Sequence, residues 1–273
     1  MKTLMIVQAR MTSSRLPGKV LKTVLGKPLL EYQIERLRKI RNVTEIVIAT
    51  TINATDQPII DLCRQLGVAT FRGPEDDVLA RFYEAATGYR GETIVRVTAD
   101  CPLIDPQVSE GVIQFFLDQR RQYDYVSNTR RLTFPRGLDT EVFSFKTLEE
   151  AYREADRPED REHVTVFMYR QPERYRIGNV SNTADLSRWR WTVDTAEDFH
   201  LIRLILESLY PQKPDFKMAD VCGLLEEHPE WRELNAHIEQ KKLKLNIKGN
   251  EAYLGSDSVA QLSLNDAQVK QEI

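Results

Sequence analysis

The residues best suited to chemistry in this sequence are concentrated in one loop near its beginning. Residues 8–19 read QARMTSSRLPGK and follow a short apolar run, residues 4–7, that is typical of a buried strand. The loop carries Arg10, Arg15 and Lys19 together with three hydroxyl side chains. Guanidinium forks and ammonium groups match phosphate oxygens, and hydroxyl and backbone N–H groups can complete an anion site. The pattern therefore predicts phosphate binding, and the alternative is a solvated basic loop.

The position of this loop in the chain also indicates a ligand site. A helical pattern begins only near Pro28, so the loop joins a strand to a helix. In doubly wound sheets such connections lie at the edge where ligands bind. The loop is not a P-loop, because the spacing Gly-x-x-x-x-Gly-Lys-Ser/Thr is absent from the sequence.

Two aspartates are candidate metal ligands. Asp100 follows the apolar run 93–98, and Asp194 follows the run 191–193, so each lies just after a predicted strand. Strand ends of this kind face one crevice in a parallel sheet. Mg²⁺ is commonly held by one or two carboxylates plus phosphate oxygens and waters. The alternative is that Asp194 caps a helix beginning near Thr195 and that Asp100 caps a turn.

The elements that must position these residues alternate between strands and helices up to residue 121. The apolar runs predict strands at 4–7, 45–50, 68–71 and 93–98, with helices at 28–41, at 55–66, from residue 76 or 77 onward, and at 107–121. This alternation predicts an α/β fold, a Rossmann-like doubly wound and mostly parallel sheet covered by helices.

The pattern changes from Tyr123 onward. Strands are predicted at 125–127, 139–143, 175–180 and 191–193, and helices at 146–171 (broken near Pro158), 195–208, 218–227 and 230–243. We expect residues 128–180 to form an inserted α+β lobe, within a domain that spans residues 1–240. Residues 241–273 form a polar tail, expected to be a linker or a docking segment.

Composition excludes several classes of protein. The chain has 273 residues and a net charge of −3, so no overall basic field draws it to nucleic acid. No apolar run approaches the ~18 residues that a membrane span requires. The beginning of the chain lacks the pattern of a signal peptide, and the three widely spaced cysteines fit a reducing compartment. We therefore expect a cytoplasmic protein that binds neither membranes nor nucleic acid.

Five stretches in fixed order resemble a known family, the CTP-dependent nucleotidyltransferases of sugar acids. The stretches are residues 8–19, 71–79, 96–104, 134–141 and 190–195. The family comprises the acylneuraminate and ketodeoxyoctonate cytidylyltransferases, and the resemblance is strongest to its spore-coat-polysaccharide branch. It covers roughly residues 1–240 and implies a sheet of the nucleotide-diphospho-sugar transferase type.

The resemblance implies a reaction in surface polysaccharide synthesis. CMP would pass from CTP to an acidic sugar-like acceptor, with release of pyrophosphate and with Mg²⁺ on Asp100 and Asp194. Cations that face the leaving pyrophosphate stabilise such a transition state. We expect Lys19 and Arg15 to contact the β and γ phosphates and Arg10 to lie nearer the α phosphate. The expected nucleotide-binding residues are Ala9, Arg10, Ser13, Ser14, Arg15, Lys19, Arg72, Thr98 and Ala99.

The acceptor site is expected in the inserted lobe. Its candidate residues are Arg136, Asp139, Glu141 and His163, with a buried ion network as the alternative for the charged ones. Related enzymes have an inserted lobe that reaches across a dimer, so we also expect a homodimer contact here. The apolar side chains that suggest it are Phe134, Phe143, Phe145, Val164, Phe167 and Tyr169. Other functions left open are a glycosyltransferase using a nucleotide sugar and a non-enzymatic nucleotide-binding module.

Overall fold

A computed structural model of the chain describes residues 2–239 and 260–263. The strands are β1 (Thr3–Gln8), β2 (Thr23–Val24), β3 (Lys27–Pro28), β4 (Glu45–Thr51), β5 (Ala69–Gly73), β6 (Thr93–Thr98), β7 (Tyr125–Ser127), β8 (Glu141–Ser144), β9 (Ile177–Ser181) and β10 (Ala260–Ser263). The helices are α1 (Leu29–Leu37), α2 (Gln57–Leu66), α3 (Val78–Gly88), α4 (Pro106–Gln119), α5 (Phe145–Glu154), α6 (Pro158–His163), α7 (Val166–Tyr169), α8 (Ala196–Leu209) and α9 (Met218–Glu227).

Eight of these strands form one sheet in the order β10-β9-β7-β8-β6-β1-β4-β5. Strand β8 runs antiparallel to both of its neighbours, and every other pair in the sheet is parallel. The short strands β2 and β3 make a separate hairpin just before α1. The predicted α/β fold with a mostly parallel sheet is therefore confirmed.

Helices cover both faces of the sheet because its central strand is apolar on both sides. In β1, Met5 and Val7 pack with side chains of α1, α2 and α4 on one face. Leu4 and Ile6 pack with side chains of α3, α5 and α7 on the other face. All four of these side chains are fully buried. This two-sided burial is what a parallel sheet covered by helices requires.

The region predicted as an inserted lobe, residues 128–180, contributes strands to the main sheet. It supplies β8, between β6 and β7, and most of β9, which pairs with β7. Its predicted helical stretch is divided into α5, α6 and α7 rather than two pieces. Pro158 is the first residue of α6, and a residue with positive φ, Val164, separates α6 from α7.

The apolar side chains expected to form a dimer contact pack inside the chain. Phe134, Phe143 and Val164 are buried, while Phe145, Phe167 and Tyr169 are half-buried against the same core cluster as α3 and α5. The large apolar side chains exposed among the described residues are Leu25 and Ile52, both outside residues 128–180. The prediction that these side chains form an exposed contact surface is therefore wrong. The homodimer itself stays a prediction.

The stretch predicted as a strand at 191–193 is irregular instead. Arg190 makes an isolated bridge with Arg136, flanked by hydrogen bonds from Trp191 N to Arg136 O (2.7 Å) and from Arg136 N to Trp189 O (2.9 Å). The two tryptophan rings pack together with α8 and α9 in a third apolar cluster. The apolar run at 191–193 correctly indicated a buried stretch. This stretch packs against side chains of α8 and α9 and pairs with the loop at Arg136, and it is not a strand of the sheet.

Most of the predicted tail, residues 241–259 and 264–273, lies outside the described residues. Of the tail only Ala260–Ser263 is described, and it forms a strand that pairs with β9. Within the described part of the chain, no helix is both long enough and apolar enough to cross a membrane.

Two glycine-to-alanine changes should have opposite effects on stability. Gly137 has a φ of +102°, and a Cβ there would lie 2.7 Å from the backbone of Trp191. We expect Gly137→Ala to lower the free energy of unfolding by at least about 1–3 kcal/mol. Gly223 lies inside α9 with no atom within 4 Å of the added methyl, so Gly223→Ala should raise it by up to about 1 kcal/mol.

Urea denaturation of the two variants beside the parent chain measures both effects. An unchanged stability in Gly137→Ala would show that the loop carrying Arg136 does not closely constrain residues 190–192.

Candidate active site

A cavity of about 480 Å³ opens where the loops after β1 and β6 meet at one edge of the sheet. Of the nine residues predicted to bind nucleotide, eight line it. They are Ala9, Arg10, Ser13, Ser14, Arg15, Lys19, Thr98 and Ala99. Both candidate metal ligands, Asp100 and Asp194, line the same cavity. The parallel sheet therefore gathers the predicted phosphate loop and the predicted carboxylates around one space.

The phosphate loop is folded by its own backbone and anchored to β4. Gly18 N donates to Met11 O at 2.9 Å, with Gly18 at a φ of +67°, so the loop closes on itself. Met11 N donates to Asp56 Oδ1 at 2.8 Å, and Asp56 also accepts from Thr50 and Thr51 at the end of β4. These bonds outweigh the effect of burial and lower the pKa of Asp56 below 3.8. Hydrogen bonds within the protein thus hold the backbone of the predicted phosphate loop in place.

Lys19 lies between the two candidate metal ligands. Its Nζ is 2.7 Å from Asp100 Oδ2 and 2.7 Å from Asp194 Oδ1. Arg15 Nη2 lies 2.9 Å from the other oxygen of Asp194. Asp100 Oδ1 accepts a hydrogen bond from Thr98 Oγ1 at 2.6 Å. Two of the three cations of the loop, Lys19 and Arg15, are therefore held by carboxylates that the sequence assigned to metal binding, whereas Arg10 lies 3.5 Å from Glu75.

Asp194 is brought to this place by backbone bonds and by a second arginine. Val193 N donates to Asp100 O at 2.8 Å, which joins the irregular stretch to the end of β6. Arg190 Nη2 contacts Asp194 Oδ2 at 2.6 Å, and Arg190 Nε donates to the buried Asp198 at 2.9 Å. The side chains of Arg190 and Asp194 are only 6% and 11% exposed, so the pair is shielded from water.

The capping alternative for Asp194 was wrong. The cap of α8 is Thr195, whose Oγ1 accepts from Asp198 N at 3.3 Å, while Asp198 accepts from Thr195 N at 3.1 Å. This reciprocal capping box leaves the Asp194 carboxylate free of the helix end. The carboxylate therefore faces the cavity and its cations.

The opposite charges reinforce each other in this network. Burial alone would lower the pKa of Lys19, but the charges of Asp100 and Asp194 outweigh it and raise the pKa above 10.5. Burial alone would raise the pKa of Asp194, but Lys19, Arg190 and Arg15 together lower it below 3.8. Lys19 and Asp194 are therefore both charged at neutral pH.

The donor set fits a metal that arrives with a triphosphate. Asp100 and Asp194 each direct one oxygen at a single cation position, now taken by Lys19 Nζ. Within residues 2–239 and 260–263 there is no group of three or more His, Cys, Asp or Glu side chains that could hold a metal by themselves. Mg²⁺ commonly uses one or two carboxylates and completes its shell with phosphates and waters.

Arg72 and Asp77 lie outside the cavity. Arg72, which the sequence predicted to bind nucleotide, donates to the carbonyl oxygens of residues 51, 52 and 53, so it holds the loop after β4 and does not line the cavity. Asp77 caps α3, accepting from Ala80 N at 2.9 Å. Its second oxygen accepts from Arg161 of α6 at 3.0 Å, which ties α6 to the mouth of the cavity.

Of the four predicted acceptor residues, only His163 lines the cavity. It ends α6, and burial together with the charge of Arg96 lowers its pKa below 6.5, so it is neutral at neutral pH. Arg136 and Asp139 pair with each other at 3.3 Å and do not line it.

Glu141 lies in the buried ion network that the sequence offered as the alternative. It pairs with Arg96 on the neighbouring strand and accepts from Tyr125 and Thr165, both at 2.6 Å. These partners outweigh burial, and the pKa of Glu141 falls below 4.5. Both oxygens of the Glu141 carboxylate are taken by these partners, and Glu141 does not line the cavity.

Sequence reasoning missed Arg81 in the wall of the cavity. It is only 2% exposed, donates to Pro74 O at 3.0 Å, and its Nε has no hydrogen-bond partner. Burial lowers its pKa to about 10. The only signal was an arginine at an otherwise apolar position of the α3 stripe, between Leu79 and Phe82.

Comparison with known proteins identifies the family. The family model described as "Cytidylyltransferase" matches residues 4–248, most of the chain. The chain belongs to the cytidylyltransferase family. It is therefore a nucleotidyltransferase, and the glycosyltransferase and non-enzymatic alternatives are set aside.

Individual cytidylyltransferases and their relatives agree with this assignment. The spore coat polysaccharide biosynthesis protein SpsF of Bacillus subtilis is 32% identical over 234 residues, which cover 83% of this chain and 95% of SpsF. The solved structure of a cytidylyltransferase from Leptospira borgpetersenii superposes with a TM-score of 0.82 at 28% identity, covering 89% of this chain and 100% of that one.

A more distant solved structure shares the fold. The CMP:2-keto-3-deoxy-manno-octonic acid synthetase, solved in complex with CTP, superposes with a TM-score of 0.58 at 19% identity. The match covers 77% of this chain and 100% of the synthetase.

The Arg96–Glu141 pair generates a stability prediction. Glu141→Gln keeps the shape but leaves the Arg96 guanidinium buried without its carboxylate. Breaking a buried pair in this way costs about 3–5 kcal/mol of unfolding free energy. The control is Arg153→Gln, which removes an exposed pair with Glu149 and should cost less than about 1 kcal/mol.

Urea denaturation at several pH values tests the pair. Because the folded-state pKa of Glu141 is depressed, its contribution is fully present above 4.5 and is lost as the pH falls through the lower folded-state value. A Glu141→Gln stability equal to that of the parent near neutral pH would contradict a structural role for this residue.

Proposed function

We propose that this cytidylyltransferase transfers CMP from CTP to an acidic sugar-like acceptor, releasing pyrophosphate, with Mg²⁺ as its metal. The activated product would serve surface polysaccharide synthesis. The nucleotide is supported by the family, and the pathway by the name of the relative SpsF.

One observation carries the proposal. A loop with three cations and two convergent carboxylates line one cavity of about 480 Å³, where Lys19 contacts both carboxylates. The cations suit a triphosphate and a departing pyrophosphate, while the carboxylates suit the metal that accompanies it. A site for a nucleotide sugar diphosphate would need fewer cations. The combination therefore favours nucleotidyl transfer at an α phosphate.

The protein acts mainly by position and charge in this scheme. Lys19 and Arg15 bind the β and γ phosphates, and Arg10 lies nearer the α phosphate. As the acceptor oxygen bonds to the α phosphorus in line, the bond to the β-phosphate oxygen breaks and negative charge passes to pyrophosphate. Preorganised cations at the leaving group stabilise that charge without reorganisation. Mg²⁺ on Asp100 and Asp194 would further offset the triphosphate charge.

The nucleoside end would lie toward Ala9, Thr98 and Ala99. Ala9 is buried between β4 and the cavity, since its N donates to Ala49 O at 3.1 Å. Small side chains at positions 9 and 99 leave space over the strand ends for a base. Ser13 and Ser14 offer hydroxyl donors along the same loop.

His163 is the residue we assign to the acceptor. Its neutral imidazole can both donate and accept a hydrogen bond, as a hydroxyl-rich acceptor requires. The residue after it, Val164, is fully buried with a φ of +61°, and Thr165 N closes a tight turn to His163 O at 2.6 Å. Such strain in a β-branched residue is often found at functional sites. Arg136 and Asp139 remain candidates only if the loop that carries them moves.

Two further parts of the proposal concern the whole molecule. We place the protein in the cytoplasm, a location consistent with the free thiols of Cys63, Cys101 and Cys222. We also expect a homodimer, as the family resemblance implies. Light scattering at micromolar concentration measures that state, and a monomeric mass would exclude a stable dimer.

A pyrophosphate-release screen tests the activity. Four nucleoside triphosphates are each offered with Mg²⁺ and a panel of sugar acids and phosphorylated polyols. We expect release with CTP and at least one acidic acceptor. Equal release from all four nucleotides would remove the CTP assignment but leave the triphosphate site.

Asp100→Asn and Asp194→Asn are the matched controls for the screen. Each change keeps the size of the side chain and removes its charge, so we expect a folded protein with turnover reduced at least about 100-fold. Circular dichroism verifies the fold. Near-parental turnover of either variant at saturating Mg²⁺ would show that its carboxylate is not a metal ligand.

A further inference from the structure

Lys19 occupies the position that a metal would need. Its Nζ is 2.7 Å from one oxygen of Asp100 and 2.7 Å from one oxygen of Asp194. The lysine side chain is 12% exposed, so this ammonium is largely withdrawn from water and its two partners replace its hydration. Lys19 therefore bridges two carboxylates that would otherwise repel each other, whereas Arg15 and Arg190 contact Asp194 alone.

Lys19 and a metal ion are alternatives at these oxygens. Asp100 Oδ1 accepts from Thr98, and Asp194 Oδ2 contacts Arg15 and Arg190. The oxygens that would be offered to a divalent cation are therefore Asp100 Oδ2 and Asp194 Oδ1, which accept from Lys19 Nζ. Two cations cannot share this position, because like charges at such close range repel strongly in a shielded site. The ammonium must leave before a metal enters.

A bound triphosphate would provide alternative anionic partners for the Lys19 ammonium. Lysine has three donors on a flexible four-carbon stem, so its ammonium can turn while the backbone stays in place. The backbone of its loop is fixed by the bonds of Gly18 and Met11, which do not involve the Lys19 side chain. Moving the ammonium from carboxylates to phosphate oxygens keeps it paired with negative charge throughout.

We propose that Lys19 is a placeholder cation that holds the two carboxylates in the absence of ligands and excludes divalent metal until a triphosphate draws it away. Bound nucleotide then raises the affinity for metal, and bound metal raises the affinity for nucleotide by the same factor. The inference rests on the proposed assignment of Asp100 and Asp194 to metal, but not on CTP as the nucleotide or on any acceptor.

Binding of Mn²⁺ in the absence of nucleotide tests the proposal. Free Mn²⁺ is followed by electron paramagnetic resonance as it is titrated into the parent protein and into Lys19→Met. The parent should bind weakly, and Lys19→Met should bind at least about tenfold more tightly, since the competing charge is gone. Lys22→Met removes a nearby lysine that lies over the Phe199 ring instead, and should bind like the parent.

Two further variants keep the test decisive if Lys19→Met folds poorly. Lys19→Gln retains a donor for one carboxylate but no charge, and it too should gain Mn²⁺ affinity and melt at a higher temperature when Mn²⁺ is present. Lys19→Arg keeps the charge and should bind metal as weakly as the parent. Equal Mn²⁺ affinity in the parent, Lys19→Gln and Lys19→Arg would overturn the proposal.

A parallel titration separates this inference from the metal assignment itself. In the presence of a non-hydrolysable CTP analogue, the parent should bind Mn²⁺ in a ternary complex that Asp100→Asn abolishes. If that complex forms but the neutral Lys19 variants gain nothing without nucleotide, the placeholder role fails alone. If neither the ternary complex nor the neutral variants bind Mn²⁺, the metal site fails, and the placeholder role fails with it.

Discussion

The contact of one ammonium with two carboxylates holds this site together. Lys19 comes from the loop after β1, Asp100 from the end of β6 and Asp194 from the irregular stretch before α8. Lys19 Nζ thus contacts residues that lie 81 and 175 positions away in the sequence. Without the charge of Lys19, the two acidic segments would lose the one cation among the described residues that contacts both carboxylates. The cavity, the predicted phosphate loop and the predicted metal ligands are all arranged around that point.

The surrounding fold supplies what this contact needs. Parallel β1 and β6 bring their carboxyl ends to one edge, which places the phosphate loop beside Asp100. The hydrogen bond from Val193 N to Asp100 O places Asp194 on the other side of the site. Because α8 is capped by Thr195 and Asp198, the Asp194 side chain is not needed at the helix end. Farther out, the buried Arg96–Glu141 pair secures the antiparallel strand β8 against β6. Rigid support of this kind keeps charges preorganised for a transition state.

The sequence predicted those features that depend on local pattern. The apolar runs located β1, β4, β5 and β6. The high density of cations and hydroxyl groups in residues 8–19 located the predicted phosphate loop. The Thr195–Asp198 capping box was missed, because Asp194 was taken as the alternative cap, although a threonine followed three residues later by an acid is a local signal for such a box. What local pattern could not reveal was pairing over long distances. The run 191–193 looked like a strand because it is buried, yet its partner is the loop at Arg136.

Charged residues were the hardest to place for the same reason. Glu141 and His163 were both candidates for the acceptor site. Only the fold shows that Glu141 pairs with Arg96 while His163 lines the cavity. Arg81 interrupts an apolar helix stripe, a signal that becomes meaningful only beside the cavity wall. Lys19 was assigned to phosphate, whereas its contacts in the structure are the expected metal ligands.

A crystal structure with Mn²⁺ and a non-hydrolysable CTP analogue is the most direct measurement of this account. Anomalous scattering from manganese should give a peak between the carboxylates of Asp100 and Asp194. Lys19 Nζ should have left both carboxylates and should lie within hydrogen-bond distance of the β or γ phosphate. A nucleotide bound with Lys19 still bridging the two aspartates, and with manganese absent or elsewhere, would contradict it.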